Sequence, residues 1–598
     1  TVVEYGGDSI NVEYGNTDDE TSIELVNRNP GDRAEVHLTF TDPALNIDPT
    51  TADVWIFDLS DNDATGTTVK FANNGSNNAL SPEELGQMQC SENCRLSSDG
   101  EAVLGTGANN VSTVTMTESG DNTGVFESFD VNGDAQFVTI AEAAADTNTV
   151  FSYGGNSIDM IITYNDATIS MDAGGDWSPG QTATISVNDP DQNKNPTSAE
   201  TLSVGDETVV IPTIKVGTGG LTLAEGTNIT KGATGSSTGV NVGDDDQGAA
   251  SYGIGVYNTT DNSERLRIVH YSEAGSMGTA TSTWINVTTG HTAAAINKLP
   301  GTVVLSYDVS APADLVSSTG IKVYVTTDGN NETDNKIGSI DIVTAGNVKS
   351  GVYDLDGGTG YGDVVNTDLQ RYASLKGTSA QTSYISVAFE ITHAAGDDMS
   401  ATADYAIYAD FCNFDQNNGS LVHNCMYRLE AVETGDNTGI FEGTVEYINL
   451  TNSTTAGTTS GEHDGNDFEV ENLMSDMGED GHALVVLQDS VSGVDAIRVM
   501  YNDTDALQAS TEIGAQADTI THTGTVDLDA DTYEAGDMGT ITIVDADLNQ
   551  DSAIRDTYQN STTTFEVKIT GSDGTSHAPF ATSPMTIIET SNDSGVFV

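Results

Sequence analysis

A ten-residue acidic cassette occurs three times in this 598-residue chain. Two copies are nearly identical: Glu-Ser-Gly-Asp-Asn-Thr-Gly-Val-Phe-Glu at 118–127 and Glu-Thr-Gly-Asp-Asn-Thr-Gly-Ile-Phe-Glu at 433–442. A degenerate copy occupies 589–597. Self-similarity of this kind is typical of a tandem array of one structural module. Such an array favours a building or binding role over a single catalytic pocket.

A second signature precedes each cassette. Apolar residues alternate with polar ones, as at Val36, Leu38 and Phe40, and are followed by Asp-rich turns at 42–46, 189–193 and 545–549. A period of two predicts a half-buried strand that ends in a turn.

A third element closes the module. It runs from Tyr153 to Asp166, and we align it with 491–503, so that Tyr501-Asn502-Asp503 matches Tyr164-Asn165-Asp166. Residues 1–15 repeat this closing element. We therefore expect the chain to be a window from a longer protein.

These signatures predict an all-β array with several apolar cores. The expected units are 1–15, the tail of a preceding module; 16–166, a module with a loop insertion; 167–204 plus 401–503, a second module; 205–400, an inserted β-sandwich-like domain; and 504–598, a third, C-terminally truncated module.

Charge and motif content exclude several function classes. The formal net charge of −72 argues against nucleic acid as a partner. No stretch of this window is apolar enough to span a bilayer. A Gly-x-Ser-x-Gly match at 235–239 lies in a Gly/Ser-rich run without the strand and helix of a nucleophile elbow. The sequence therefore predicts no enzyme activity.

Alternating carboxylates are candidate Ca²⁺ ligands, because Ca²⁺ prefers six to eight oxygen ligands. The alternative is an Asx-turn that ends each strand, in which the carboxylates cap backbone N–H groups. The candidate ligands are Asp42, Asn46, Asp189, Asp191, Asn193, Asp354, Asp356, Asp527, Asp529, Asp531, Asp545, Asp547 and Asn549.

The four cysteines fall into two local pairs, Cys90 with Cys94 and Cys412 with Cys425. We expect disulfides, and the alternative is a metal site. Disulfides indicate an oxidising, extracellular setting. Asn-x-Ser/Thr sequons, candidate N-glycosylation sites, fit such a setting. They lie at Asn74, Asn110, Asn228, Asn258, Asn286, Asn331, Asn418, Asn449, Asn452, Asn502, Asn560 and Asn592.

Together, the Asp-Pro-Asp-x-Asn turn, the Glu-Thr-Gly-Asp-Asn-Thr-Gly-Ile-Phe-Glu cassette and Tyr-Asn-Asp on a Lys-poor acidic chain resemble the S-layer proteins of marine ammonia-oxidising archaea. The resemblance covers 16–204 and 401–598. It implies glycosylated, tandem immunoglobulin-like β-sandwich domains, one with a large inserted β-domain. It also implies that copies of the chain assemble into a two-dimensional, hexagonal lattice at the cell surface.

The leading hypothesis is therefore a porous, acidic surface layer that attracts small cations, Ca²⁺ for cohesion and ammonium by enrichment. The alternative is a Ca²⁺-dependent secreted adhesin or extracellular matrix protein. A secreted polysaccharide hydrolase would have to hold its active site in the insertion.

Overall fold

The structure is a computed structural model. It describes residues 2–11, 18–59, 69–72, 78–79, 94–99, 104–106, 109–110, 113–130, 132–140, 143–175, 177–178, 181–203, 209–217, 422–450, 483–488, 495–504, 510–519, 522–549, 555–560, 565–580 and 585–598, and within 218–421 the backbone of the strands. The described residues form sheets of antiparallel strands, with one parallel strand pair. Short 3₁₀ turns join the strands, and the described residues contain no α-helix. The predicted all-β class is confirmed.

Module I follows a hairpin of β1 (Val2–Tyr5) and β2 (Asp8–Asn11). The strands of module I are β3 (Ser22–Leu25), β4 (Leu38–Thr41), β5 (Val54–Asp58), β6 (Val69–Phe71), β7 (Asn78–Ala79), β8 (Ser97–Asp99), β9 (Leu104–Thr106), β10 (Asn109–Asn110), β11 (Thr113–Glu118), β12 (Val125–Glu127), β13 (Val138–Thr139), β14 (Asn148–Tyr153) and β15 (Asn156–Ile161).

Two sheets of module I enclose its core. The first has the order β3-β4-β12-β11-β5-β6-β7, and the second has the order β15-β14-β8. Phe40 and Phe126 of the first sheet and Phe151 and Tyr153 of the second are fully buried. Alternate residues of each strand point inward, so the period of two in the sequence creates this sandwich.

Module II is interrupted by the insertion. Its strands are β16 (Thr168–Asp172), β17 (Thr182–Asn188), β18 (Thr201–Leu202) and β19 (Thr213–Val216) before the insertion, and β32 (Val422–Arg428), β33 (Ala431–Glu433), β34 (Ile440–Leu450), β35 (Ala483–Gln488), β36 (Asp495–Thr504) and β37 (Ser510–Thr519) after it.

The insertion contributes strands between β19 and β32. They are β20 (Ile229–Ala233), β21 (Ile254–Thr259), β22 (Arg265–His270), β23 (Ser282–Thr292), β24 (Thr302–Val309), β25 (Ser318–Thr326), β26 (Lys336–Asp341), β27 (Val343–Thr344), β28 (Asn347–Val348), β29 (Gly351–Asp354), β30 (Tyr384–His393) and β31 (Asp404–Asp415). One sheet has the order β20-β23-β30-β25-β26.

The insertion shares a sheet with module II. Strand order β21-β22-β31-β32-β19-β36-β37 runs without a break from one to the other. Two predicted boundaries therefore differ from the strand pairing. Strand β19 lies beyond residue 204, the predicted end of the first part of module II, but it pairs with β36 of that module. The hairpin of β36 with β37 extends the second part of module II from the predicted end at 503 to Thr519.

Module III has strands β38 (Thr525–Leu528), β39 (Ile541–Val544), β40 (Thr557–Gln559), β41 (Ile569–Thr570), β42 (Ser576–His577), β43 (Thr586–Ile588) and β44 (Val596–Phe597). Its core is small: Tyr558, Ile587 and Phe597 are fully buried. No helix in the described parts of the chain is long and apolar enough to cross a membrane.

Candidate functional site

The Asp-rich turn and the acidic cassette, far apart in sequence, meet at one point in every module. We call the pair the turn–cassette unit: residues 42–46 with 118–127, residues 189–193 with 433–442, and residues 545–549 with 589–597. In the first copy, the backbone N–H of Asp42 donates to the carbonyl of Gly124 at 2.8 Å. The same bond joins Asp189 to Gly439 and Asp545 to Gly595, also at 2.8 Å. The tandem signatures therefore mark one contact that repeats in all three modules.

The last cassette glycine is required for this contact for two reasons. Gly124, Gly439 and Gly595 have φ values of +62°, +62° and +57°, a conformation that side chains disfavour. A Cβ at Gly439 would also lie 2.7 Å from the Cα of Pro190. Only glycine gives the turn both the backbone conformation and the space.

The first glutamate of each cassette binds the loop to its module. Glu118 is buried, and its Oε1 accepts hydrogen bonds from the N–H groups of Thr123 and Gly124, both at 2.7 Å. Its Oε2 accepts a third from the N–H of Asp53 at 3.1 Å. Three N–H donors compensate for the burial of one carboxylate.

Glu433 and Glu589 repeat the arrangement of Glu118. Glu433 accepts hydrogen bonds from the N–H groups of Thr438 (2.7 Å), Gly439 (2.7 Å) and Glu200 (3.2 Å). Glu589 accepts them from the N–H groups of Ser594 (2.6 Å), Gly595 (2.7 Å) and Asp556 (3.2 Å). The acidity of the cassette thus serves loop closure in all three modules.

The first aspartate of each turn caps a 3₁₀ turn. Oδ1 of Asp42, Asp189 and Asp545 accepts the N–H of the residue two positions later, at 2.8, 3.0 and 3.1 Å. This is the Asx-turn geometry weighed against Ca²⁺ binding in the sequence.

In two modules, the second carboxylate oxygen of this aspartate accepts a hydrogen bond from a tyrosine hydroxyl. Tyr153 donates to Asp42 at 2.6 Å, and Tyr501 donates to Asp189 at 2.5 Å. Burial raises the pKa of Asp189 to about 6, although the Tyr501 hydrogen bond lowers it. Both tyrosines belong to the last hairpin of their module, so this bond ties the second sheet to the turn.

This contact corrects one alignment made from the sequence. Tyr501 occupies the structural place of Tyr153, and not that of Tyr164, because each lies on the first strand of its hairpin. The hydroxyl of Tyr164 instead donates to the carbonyl of Ala143 at 2.6 Å. Tyr153 and the cassette glutamates were missed as site residues, although the recurrence of Glu at the first cassette position was a visible signal.

The second aspartate of the turn contacts the segment that joins two modules. Asp191 accepts from the backbone N–H of Asn165 at 2.8 Å and from its Nδ2 at 2.9 Å. Asp547 likewise accepts from the N–H of His522 at 2.8 Å. Asn165 and His522 each lie three positions before the first strand of a module, β16 and β38 respectively. Module I has Ala44 at this position of its turn.

A lysine adds to the first junction. Lys194 Nζ donates to the carbonyl oxygen of Asp32 at 2.8 Å, and the N–H of Glu35 donates to the carbonyl of Lys194 at 2.7 Å. These bonds join module I to the turn of module II directly.

The turn asparagine binds the centre of the cassette. Nδ2 of the asparagine donates to an Oδ1 atom at 2.7 Å in every copy. The pairs are Asn46 with Asn122, Asn193 with Asn437, and Asn549 with Asp593.

Module II contains a carboxyl pair that the sequence did not reveal. Burial first, and then the hydrogen bond to the neighbouring carboxylate of Glu433, raise the pKa of Glu200 to about 8. Burial alone would raise the pKa of Glu433, but the hydrogen bonds from Glu200 and from the cassette N–H groups bring it below its usual value. The two carboxyls therefore titrate as a coupled pair that retains a proton above the ordinary pKa of a glutamate.

The remaining candidate ligands lie apart from the turn–cassette units. Asp529 accepts from the hydroxyl of Tyr533 at 2.5 Å and the N–H of Thr540 at 2.8 Å, and Asp527 accepts from the N–H of Leu528 at 2.9 Å. Asp531 is exposed. Asp354 ends β29, where only the backbone is described, and Asp356 lies outside the described residues.

Over the described part of the chain, no three His, Cys, Asp or Glu side chains form a group that could hold a metal ion. In the turns, the carboxylates bind N–H and hydroxyl donors instead. Ca²⁺ binding stays a prediction.

The cysteines lie in two regions. Cys94 is buried and disulfide-bonded, and its predicted partner Cys90 lies outside the described residues. The pairing of β31 with β32 ends at Asn413 and Asn424, and Cys412 and Cys425 are the next residues along the two strands. This placement is what the predicted second disulfide needs, and the pairing itself stays a prediction.

The sequons differ in how the structure describes them. Asn592 is exposed, whereas Asn502 and Asn560 are half-buried. For Asn110, Asn258, Asn286 and Asn449 only the strand backbone is described, and Asn74, Asn228, Asn331, Asn418 and Asn452 lie outside the described residues.

Comparison with known proteins gives no family. No family model and no curated protein matches the chain. Among solved structures, one described as a carbohydrate-binding module of the β-sandwich superfamily is 8% identical, with a TM-score of 0.14, covering 65% of this chain and 95% of its own. The M60 catalytic domain with two CBM51 domains of Clostridium perfringens ZmpB is 9% identical, with a TM-score of 0.12, covering 95% of this chain and 45% of its own. Neither likeness extends to function.

Proposed function

We propose that the chain is a structural protein of an extracellular surface layer, in which copies form a porous, strongly acidic lattice. One observation carries the proposal: the residues that repeat between modules are used for loop closure and, in modules II and III, for joining modules. Each unit ties its turn to its cassette, and Asp191 and Asp547 bind the adjoining linkers. An array with fixed junctions suits a protein whose task is to hold a shape.

The charge supports the second half of the proposal. A net charge of −72 gives a lattice of such chains acidic openings. At an ionic strength of 0.1 to 1 M, fields extend only about 10 to 3 Å, so selection of cations requires narrow pores lined by carboxylates on all sides. Ammonium and other small cations are then enriched over anions.

Calcium has a defined place in this proposal. Exposed carboxylates on neighbouring copies repel each other, and a divalent cation that bridges them removes the repulsion. The buried turn carboxylates are already hydrogen-bonded, so bridging Ca²⁺ is assigned to exposed acids such as Asp531 and Asp537.

Electron microscopy of the purified chain with Ca²⁺ tests the proposal. We expect ordered two-dimensional arrays that disperse in excess chelator and re-form when Ca²⁺ is restored. Dispersed monomers that bind glycans or surfaces would instead support an adhesin, and release of reducing sugar from polysaccharides would support a hydrolase.

A further inference from the structure

The five-stranded sheet of the insertion carries different residue types on its two faces. Its strand order is β20-β23-β30-β25-β26, and all neighbouring strands are antiparallel. Residues at alternate positions of one strand share a face, and residues paired across two strands share it too. Strand pairing therefore assigns the residues of the sheet to one face or the other.

One face, which we call the core face, is almost entirely apolar. One of its rows across the sheet consists of Ile229, Val287, Val387 and Val325. The next row consists of Lys231, Ile285, Phe389, Val323 and Ile340. An antiparallel sheet commonly packs one face on a core and leaves the other in solvent. This pattern identifies the apolar face as the one for the core.

The opposite face, which we call the polar face, carries two aromatic residues among hydrogen-bonding ones. One row consists of Gly232, Trp284, Glu390, Lys322 and Asp341, and the adjacent row of Thr230, Asn286, Ala388, Tyr324 and Ser339. The other two tryptophans of the chain, Trp55 and Trp177, are fully buried. A tryptophan in a polar row therefore departs from the use of tryptophan in the modules.

The two aromatic positions lie two strands and one row apart. From the regular spacing of strands and residues, Trp284 and Tyr324 are about 10 Å apart across the sheet and about 7 Å apart along it. Strand β30 lies between them and contributes Glu390 beside Trp284 and Ala388 beside Tyr324. The face thus offers two separate aromatic positions with polar residues around them.

This arrangement suits a neutral sugar chain. A pyranose ring has an apolar C–H face, which packs on an aromatic ring, and hydroxyl groups at its edge, which both donate and accept hydrogen bonds. Amide, hydroxyl and charged residues beside two aromatic residues provide partners for both parts of the ring. The net charge of −72 disfavours a polyanion as the ligand.

A protein partner fits the polar face less well. The buried centre of a protein interface is depleted of charged residues. Here three charged residues, Glu390, Lys322 and Asp341, follow one another in the row of Trp284. Hydroxyl groups of a sugar can bind such residues without placing an apolar surface over them.

We propose that the polar face of the insertion binds an extended neutral oligosaccharide, with Trp284 and Tyr324 as its two aromatic contacts. Asn286, Glu390 and Lys322 supply hydrogen bonds to the sugar hydroxyls. This site goes beyond the lattice role, because one copy of the chain is sufficient for it. Array formation and sugar binding are measured separately, so failure of one does not imply failure of the other.

Isothermal titration calorimetry of the full chain tests the inference, with cellohexaose, mannohexaose and laminarihexaose as probes. The chain is produced without N-glycosylation, because Asn286 lies in a sequon and an attached glycan would occupy the polar face. At least one probe should bind. Trp284→Ala should weaken that binding by about tenfold or more, as loss of a central aromatic contact does elsewhere.

Three further variants separate binding from folding. Tyr324→Ala should also weaken binding, and it provides the same test if Trp284→Ala does not fold. Trp284→Phe keeps an aromatic ring and should retain most of the affinity. Tyr5→Ala removes an aromatic residue that is 90% exposed and lies outside the insertion, so binding should not change. Melting temperatures identify any variant that is misfolded.

The same measurements can contradict the proposal. It is overturned if none of the probes binds the unsubstituted chain, or if folded Trp284→Ala and Tyr324→Ala bind as tightly as that chain. Loss of array formation in Trp284→Ala, with no sugar binding by the unsubstituted chain, would assign the polar face to a contact between copies and would also overturn it.

Discussion

Modules I and II contain the same turn–cassette unit in different electrostatic surroundings. The bonds from Glu118 and Glu433 to their cassette N–H groups are all 2.7 Å, so the unit itself does not vary. Beside it, module II has Asp191 where module I has Ala44, and Glu200 where module I has Asp53. The comparison shows which residues make the module and which adapt it to its neighbours.

The adaptation has an electrostatic cost. Module II buries Asp189 and Asp191 together, and burial is the main reason that the pKa of each is raised. The gain is the bond from Asp191 to the linker at Asn165. In module II, burial of Asp191 next to Asp189 thus lowers the stability of the module itself, while the bond to Asn165 fixes its junction with module I.

Removal of the cassette glutamate should have the largest effect. Glu118→Ala leaves three N–H groups without their acceptor, and at about 1–3 kcal/mol for each buried donor we expect a loss of about 3 kcal/mol or more. Glu433→Ala should cost at least as much, because it removes three equivalent N–H bonds and also the carboxylate that is hydrogen-bonded to Glu200. Chemical denaturation followed by fluorescence measures both.

Glu442 is the matched control for Glu433. It belongs to the same cassette but is exposed. Glu442→Ala should change stability by less than about 0.5 kcal/mol. An equal loss in Glu442→Ala and Glu433→Ala would show that net charge, and not loop closure, sets the stability.

The cassette glycine gives the next largest effect. Gly439→Ala combines a left-handed residue, about 1–2 kcal/mol, with overpacking against Pro190, about 1–3 kcal/mol, for a loss of about 3 kcal/mol. Gly124→Ala should cost slightly less, because its Cβ would lie 3.1 Å from Pro43 Cα. Gly155 has a φ of +81°, but a Cβ added there would have no atom within 4 Å. Gly155→Ala should therefore cost only about 1 kcal/mol. Equal losses at all three sites would rule out the close contact as a cause.

The strands and turns of this fold follow from local patterns. Thr182–Asn188 alternates buried and outward residues as its sequence predicts, and the turn at Asp189 caps a 3₁₀ turn by ordinary Asx chemistry. Local residues decide these features, so sequence reasoning finds them.

The site was less predictable because its contacts are long-range. With 91 acidic residues in the chain, nothing local distinguishes the buried Glu433 from the exposed Glu442. The role of Tyr501 was obscured by the Tyr-Asn-Asp match to Tyr164, since only strand pairing shows that it belongs with Tyr153. Burial and pairing decide both, and neither is encoded in a short window.

The junction bond should have a moderate effect. Asp191→Ala removes the acceptor of two hydrogen bonds from Asn165 and should lower the stability of the module I–module II pair by about 1–2 kcal/mol. It should also separate the melting of the two modules, which calorimetry resolves. Asp172→Ala, at an exposed carboxylate of the same module, serves as the reference. A single unchanged transition in Asp191→Ala would contradict the junction role.

The smallest effect is the pH dependence of module II. The pKa of Glu200 is about 8 in the folded state, above its ordinary value, so between those values the folded state holds a proton that the unfolded chain lacks. The contribution of Glu200 to stability is therefore fully present below its unfolded pKa and is lost as the pH rises towards 8. We expect a gain of about 1 kcal/mol or less from pH 8 to pH 5, since Glu200 is only half-buried and solvent screens its charge.

Glu200→Gln isolates this contribution. The substitution should flatten the change in melting temperature of module II between pH 5 and pH 8. An unchanged slope would assign the pH dependence to Asp189 or to net charge instead.

Hydrogen–deuterium exchange in excess chelator tests the central claim most directly. The claim is that the turn and cassette carboxylates are structural hydrogen-bond acceptors and need no metal to hold the loops. The N–H groups of Gly124, Gly439 and Gly595, each donated to a glutamate at 2.7 Å, should then exchange slowly with and without Ca²⁺. Glu118→Ala should abolish the protection in its own cassette and leave the other two unchanged. Fast exchange of all three glycines in chelator, restored by Ca²⁺, would contradict the account.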